Sequence, residues 1–265
     1  MHDYFTPVFA KQPVRIHKGD YYYNSDDDGD SFDETHASLW LSGVFEQRLN
    51  SPSQSNILDY FKADIVSFFA KNPAPFMEVA CGPGMGLAPI IFEKYPDIPC
   101  LATDACSLLI ESWRTFLSAN ASLFNISLAA FSVLDMPIKD NSLNMVTSNI
   151  GLSSTRSGEQ GYVQAAGEVF RVLKSSGTLI TLENEWLDYD AIKEVFRLWG
   201  KPMWFGLEKK YSWYEILEKC GFVNEAYDKK MEVPLRADDN KLGEQSHKFG
   251  IPIGLKYTLF AARKP

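Results

Sequence analysis

Three glycines at alternate positions follow a short apolar run that holds one acid, in Phe76-Met77-Glu78-Val79-Ala80-Cys81-Gly82-Pro83-Gly84-Met85-Gly86. Glycine lacks a Cβ, so such a turn bends tightly and admits a ligand close to the main chain. A second acid closes the run Leu101-Ala102-Thr103-Asp104-Ala105. A carboxylate at a strand end can accept both hydroxyls of an adenosine ribose. It can also cap the helix that follows; the ribose role is the preferred reading. Candidates for a general base are His17, His36, His247 and Glu185. None lies in a recognised motif, and no catalytic residue is assigned. The four cysteines, Cys81, Cys100, Cys106 and Cys220, form no CxxC pair and no zinc-like spacing with histidine. Asn24, Asp26, Asp28 and Gly29 match the opening of a calcium loop, but Thr35 stands where that loop needs a bidentate Glu. The acidic run reads as a solvated turn, and no metal is expected.

These groups need elements to hold them. Ile57, Tyr60, Phe61, Ile65, Phe68 and Phe69 recur at helical spacing and predict a helix over 56–70, with Ser55 as N-cap and Pro73 and Pro75 beyond its end. Strands are predicted over 75–80, 98–103, 126–133, 145–149 and 178–183, with helices over 87–94, 107–119 and 162–173. Ser175-Ser176-Gly177 breaks the last helix from the strand after it. This alternation predicts an α/β fold: a doubly wound, Rossmann-like, mostly parallel sheet with helices on both faces. Beyond Glu183 the spacing predicts helices over 190–199 and 212–220, then strands over 222–233 and 255–263. A hairpin-like link between those strands makes the final one antiparallel. Residues 1–55 read as an N-terminal arm or lid, with helical spacing first emerging at Ser38-Leu39-Trp40-Leu41. Residues 56–265 read as one domain with a cap insertion at about 186–215. Trp186, Trp199, Trp204, Phe205, Trp213 and Tyr214 concentrate there. They suit the wall of an apolar or cationic acceptor site, or equally the core of a cap.

Taken in order, these segments resemble the class I S-adenosylmethionine (SAM) dependent methyltransferases of small-molecule type. The first carries Glu78 and the glycine turn. Its G-x-G-x-G spacing departs from the nicotinamide pattern G-x-G-x-x-G, whose last glycine would fall on Leu87. In the family the acid organises the loop around the methionine end of SAM, and glycine usually stands where this chain has Ala80. The stretch Phe131-Ser132-Val133-Leu134-Asp135-Met136-Pro137 resembles the segment that closes over adenine. Aligned on Pro137, the family's adenine-reading Asp falls on Ser132, a neutral and weaker acceptor. Val133 would offer its N–H, and Asp135 competes as acceptor or is a solvated loop residue. Ser148-Asn149-Ile150-Gly151-Leu152 resembles the strand end beside the reactive methyl group. Many relatives carry histidines soon after it; here Ser153-Ser154-Thr155 follow. Glu168 to Ile180 resembles the helix, glycine break and fifth strand. The resemblance runs from about Pro75 to Glu183. It implies SAM as cofactor, held by Glu78, Ala80, Gly82, Pro83, Gly84, Asp104, Ala105, Ser132, Val133 and Asn149.

The 265-residue chain is 45% hydrophobic and 14% aromatic, ample for a core, and carries a net charge of −8. No Lys/Arg cluster is present, which argues against a nucleic-acid partner. No signal peptide or bilayer-length apolar run is seen, and scattered cysteines fit a reducing cytosol. The expectation is a cytoplasmic enzyme that methylates a small molecule. The alternatives are a non-catalytic SAM-binding module and, resting on the glycine turn and Asp104 alone, an NAD-dependent oxidoreductase.

Overall fold

The computed structural model describes residues 4–23, 52–119, 125–155, 158–203 and 211–265. Among them the chain forms one nine-stranded sheet in the order β1-β2-β5-β4-β3-β6-β7-β9-β8. Five parallel strands make its centre: β3 (Phe76–Glu78), β4 (Cys100–Asp104), β5 (Ile126–Ala130), β6 (Leu143–Asn149) and β7 (Leu173–Trp186). Their side chains alternate between two buried faces, so the strands read as near-continuous apolar runs. Phe76, Cys100, Ala102, Leu128 and Ile180 pack under α1 (Pro52–Ala70), α2 (Ala88–Phe92) and α3 (Ser107–Ala119). Met77, Leu101, Ala129, Val146 and Leu179 face α4 (Gly158–Val172) and α6 (Trp213–Lys219). The doubly wound architecture is therefore as expected.

Several boundaries differ from the expectation. Helix α1 opens at Pro52, so Ser55 lies inside it and is not its N-cap. Proline suits the first turn because its φ is preset and no N–H is needed there. Ser175-Ser176-Gly177 does not separate helix from strand: the helix ends at Val172 and β7 begins at Leu173. The stretch is absorbed in β7 as an irregularity between the pairs Leu143↔Leu173 and Met145↔Thr178, with Ser176 at φ 65°.

Beyond the parallel centre, β9 (Gly254–Arg263) pairs antiparallel with both β7 and β8 (Val223–Pro234). The link from β8 to β9 is not a hairpin; it carries helix α7 (Lys241–Phe249). Asn240 caps α7 by accepting from Leu242 N at 2.9 Å and Gly243 N at 3.0 Å, and Gly250 ends it at φ 67°. Helix α7 packs with α5 (Tyr189–Trp199) around Ile192, Val195, Phe196, Leu235, Leu242 and Ile253.

The N-terminal segment contributes a hairpin that the sequence reading lacked. Strands β1 (Arg15–His17) and β2 (Asp20–Tyr22) pair antiparallel, and β2 adds parallel to β5. Lys18 and Gly19 both have positive φ, 49° and 86°, the signature of a type I′ turn. Asp20 is buried, and Arg114 of α3 reaches it through Nε at 2.7 Å and through Nη2. Asp20→Ala removes the buried partner while Arg114 keeps some access to water. We expect a loss of about 1–3 kcal/mol, read by urea denaturation; an unchanged midpoint would contradict a docked hairpin. The acidic run at 26–30, the helix expected near Trp40, and His36 lie outside the described residues.

Candidate functional site

The strand order reverses at β3, with β4 on one side and β6 on the other. In open α/β sheets the crevice beyond the carboxyl ends of the strands at such a point is where ligands bind. Glu78 ends β3 there and is fully buried. Thr147 Oγ1 donates to its Oε2 at 2.5 Å, whereas Oε1 has no hydrogen-bond partner. Burial pushes the Glu78 carboxyl up to about 8; the Thr147 hydroxyl and the nearby Leu87 and Asn149 amides partly offset this.

The loop after β3 folds back over that carboxylate. Ala80, Gly82, Met85 and Gly86 all have positive φ, at 47°, 55°, 57° and 58°. At Gly86 a Cβ would sit 1.8 Å from Glu78 Oε1, so only glycine fits. Pro83 and Gly84 belong to a 3-10 turn, Gly82–Gly84. A Cβ on Gly84 would meet nothing within 4 Å; the space before this glycine is open. Ala80 occupies a left-handed conformation, which accounts for the glycine that the family prefers. That conformation costs alanine about 1–2 kcal/mol, while glycine adds roughly 0.5–1 kcal/mol of unfolded-chain freedom. Ala80→Gly is therefore expected to leave stability unchanged or raise it by up to about 1 kcal/mol. A clear drop in the chemical-denaturation midpoint would contradict this.

Asp104 ends β4 and is partly exposed. Its Oδ2 accepts from Gly82 N at 3.0 Å and its Oδ1 from Cys106 N at 2.9 Å. The carboxylate thus ties the glycine loop to the start of α3, and each oxygen keeps lone-pair capacity for another donor. Burial raises its pKa and these amides oppose the rise. Ala105, next to it, is partly exposed. Ser132 Oγ accepts from Leu134 N at 3.2 Å, a local turn bond, and Val133 beside it is buried. Asp135 is exposed and pairs with Lys11 at 3.5 Å, the solvated alternative.

Asn149 ends β6. Its Oδ1 and the Ser148 Oγ are buried without partners. Together with Glu78 Oε1 they place three orphaned polar atoms at the carboxyl ends of β3 and β6. Buried polar groups are nearly always paired, so a polar ligand fits here. Ile150 follows at φ 60°, and a Cβ on Gly151 would lie 2.6 Å from Ser148 Oγ and 2.8 Å from Val79 O.

The structure also brings in Glu183, which was not among the expected site residues. It is buried near the end of β7 and accepts from Thr181 Oγ1 at 2.6 Å, Leu152 N at 3.3 Å, and Ser153 N at 3.0 Å. An acid closing an otherwise apolar strand is the same signal that marked Glu78. The candidate bases do not gather at the crevice. His17 lies on edge strand β1, and His247 on α7 beside Leu235 O at 3.3 Å. Glu185 accepts from Trp213 N at 2.8 Å and pairs with Lys256 at 2.5 Å. Of the cap aromatics, Trp213 is fully buried against Tyr162 and Tyr211, with ring centroids 5.4 and 6.2 Å apart. Trp186 and Trp199 pack on the α5–α7 cluster, and Tyr214 is exposed. The first three therefore build core; Trp204 and Phe205 lie outside the described residues.

Comparison with known proteins agrees with this fold. Residues 77–181 match the family described as a methyltransferase domain. A demethylmenaquinone methyltransferase of Staphylococcus aureus (strain JH9) is 24% identical over 169 residues, covering 56% of this chain and 67% of that protein. The solved YcgJ protein from Bacillus subtilis superposes with a TM-score of 0.53 at 16% identity, covering 76% of this chain and 97% of its own. A geranyl diphosphate methyltransferase, solved in complex with SAM, gives a TM-score of 0.50 at 14% identity, covering 89% and 93%. At such identities the solved structures bear on the fold alone.

Proposed function

We propose that this chain, whose residues 77–181 match a methyltransferase domain, is a class I SAM-dependent methyltransferase that transfers the methyl group of SAM to a small-molecule acceptor at the β3–β6 crevice. SAM supplies a sulfonium-activated methyl group, so the hard chemistry resides in the cofactor. The chain's part is to hold, align and keep water out. In this reading the glycine turn and Glu78 receive the methionine end, Asp104 and Ala105 the ribose, Ser132 and Val133 the adenine, and Asn149 lies nearest the methyl group. The observation that carries the reading is the trio of orphaned atoms, Glu78 Oε1, Ser148 Oγ and Asn149 Oδ1, beneath an open glycine turn.

A small acceptor is supported by the acidic net charge of −8, which disfavours nucleic acid, and by the relative named for demethylmenaquinone. Among the described residues no helix is long and apolar enough to cross a membrane. With no histidine of the described residues at the crevice, acceptors that need little help losing a proton suit it best. The test is methyl transfer from labelled SAM to a panel of phenols, quinols, amines and thiols. Turnover of at least one class is expected; S-adenosylhomocysteine binding without any turnover would instead favour a non-catalytic SAM-binding module.

A further inference from the structure

Glu183 stands on β7, next to the β6 strand that carries Ser148 and Asn149, and accepts hydrogen bonds from the segment after β6 as well as from Thr181 on its own strand. The segment after β6 closes into a single helical turn: Ser154 N donates to Ile150 O at 3.0 Å and Thr155 Oγ1 to Leu152 O at 2.9 Å. The leading amides of such a turn have no partner within it. Glu183 supplies one, with Oε1 taking Leu152 N at 3.3 Å and Oε2 taking both Ser153 N at 3.0 Å and Ser153 Oγ. Thr181 Oγ1 donates to Oε1 at 2.6 Å. On its other side the turn is pressed against the glycine loop, because Gly151 leaves no room for a Cβ between Ser148, Val79 and Ala80.

We propose that Glu183 is a positioning residue for methyl transfer: its ionised carboxylate clamps the Leu152–Ser153 turn so that the end of β6 faces the crevice. The proposal rests on that crevice being the methyl-transfer site. A carboxylate can only accept, and all four of its contacts donate. A protonated carboxyl would set its own O–H against them. Burial lifts the group to about 7, with the Ser153 and Thr181 donors opposing, so the clamp changes its proton state near neutrality. The described titratable groups coupled to it are Glu78 of β3, Tyr162 of α4 and Tyr211 before α6.

The test is Glu183→Gln, which keeps the shape but turns an acceptor into a donor, with Glu183→Asp as the variant that stays acceptor-only. Amide hydrogen exchange is followed at residues 150–155, corrected for the intrinsic effect of pH. At pH 8 we expect exchange at Leu152 and Ser153 to rise about tenfold in Glu183→Gln, and much less in Glu183→Asp. In the native protein this protection should fall between pH 8 and pH 6; in Glu183→Gln it should not vary. The S-adenosylhomocysteine dissociation constant, by calorimetry, should stay within about threefold of native. With an acceptor from the panel, kcat should fall about tenfold in Glu183→Gln. Native protection in Glu183→Gln, or the same pH dependence in both proteins, overturns the clamp. Unchanged kcat overturns its role in transfer. Failure of the native protein to bind S-adenosylhomocysteine would overturn the cofactor site instead, while the exchange result still decides whether Glu183 holds the turn.

Discussion

Glu78→Gln is expected to weaken SAM binding about 10- to 100-fold, the range for removing a charge-assisted contact from a buried site. The variant keeps the shape of the side chain and an oxygen for Thr147, so the change reports charge. The same substitution should alter how stability depends on pH. Glu78 is held at about 8 against an ordinary value of 4.5. Between those values the folded chain binds more protons than the unfolded chain, so stability falls as pH rises. The stabilising contribution is complete below 4.5 and is lost as pH climbs through about 8. Glu183, raised to about 7, acts in the same direction over a narrower window. Urea denaturation at pH 5.5, 7 and 8.5 should therefore show a declining native stability and a flatter profile for Glu78→Gln. Stability that rises with pH, or the same slope in both proteins, would mean that Glu78 is not the buried acid described. The ammonium group at the methionine end, which S-adenosylhomocysteine shares with SAM, favours the ionised form, so binding of either at pH 7 should release a proton.

Gly86→Ala should unfold the loop around that acid. The new Cβ would lie 1.8 Å from Glu78 Oε1 and 2.3 Å from its Cδ, on a backbone with φ 58°. The carboxylate cannot swing away easily, since it is buried and bonded to Thr147. Left-handed strain and the clash together give an expected loss of at least about 3 kcal/mol, with loss of SAM binding. Gly84→Ala is the control. It meets nothing within 4 Å and has an ordinary φ, so its melting temperature should hold within a few degrees. SAM affinity should nevertheless fall, because the methyl group would enter the open cradle. If both variants melt alike and bind alike, the loop does not hold the cofactor as described.

The parallel centre was legible in the sequence because each strand there is a short apolar run ending in a turn or an acid. Glu78, Asp104 and Asn149 could be placed at strand ends on that basis, and in the structure they end the neighbouring strands β3, β4 and β6. What escaped prediction lacked such a pattern. The β1–β2 hairpin is two three-residue strands around Lys18-Gly19, too short for any period to emerge. Its attachment depends on Arg114, far along the chain. Helix α7 carried the ordinary signals, Asn240 before it and Gly250 after it, but its polar composition disguised them as a link. In the sequence Glu183 reads only as the end of a strand, because its partners at 152 and 153 belong to another element. Trp213 shows a signal that sequence alone leaves open: an aromatic-rich segment suits a ligand wall or a cap core equally, and packing against Tyr162 and Tyr211 makes this side chain core.

The central claim is that SAM binds at the β3–β6 crevice over the buried Glu78, whose carboxyl, held at about 8 in the free chain, gives up its proton as the cofactor enters. Calorimetric titration of the native protein with S-adenosylhomocysteine at pH 7, in two buffers of different ionisation enthalpy, tests it most directly. Saturable one-site binding is expected, with a heat that depends on the buffer in the native protein and loses that dependence in Glu78→Gln. No binding, or a heat that is the same in both buffers, would contradict it.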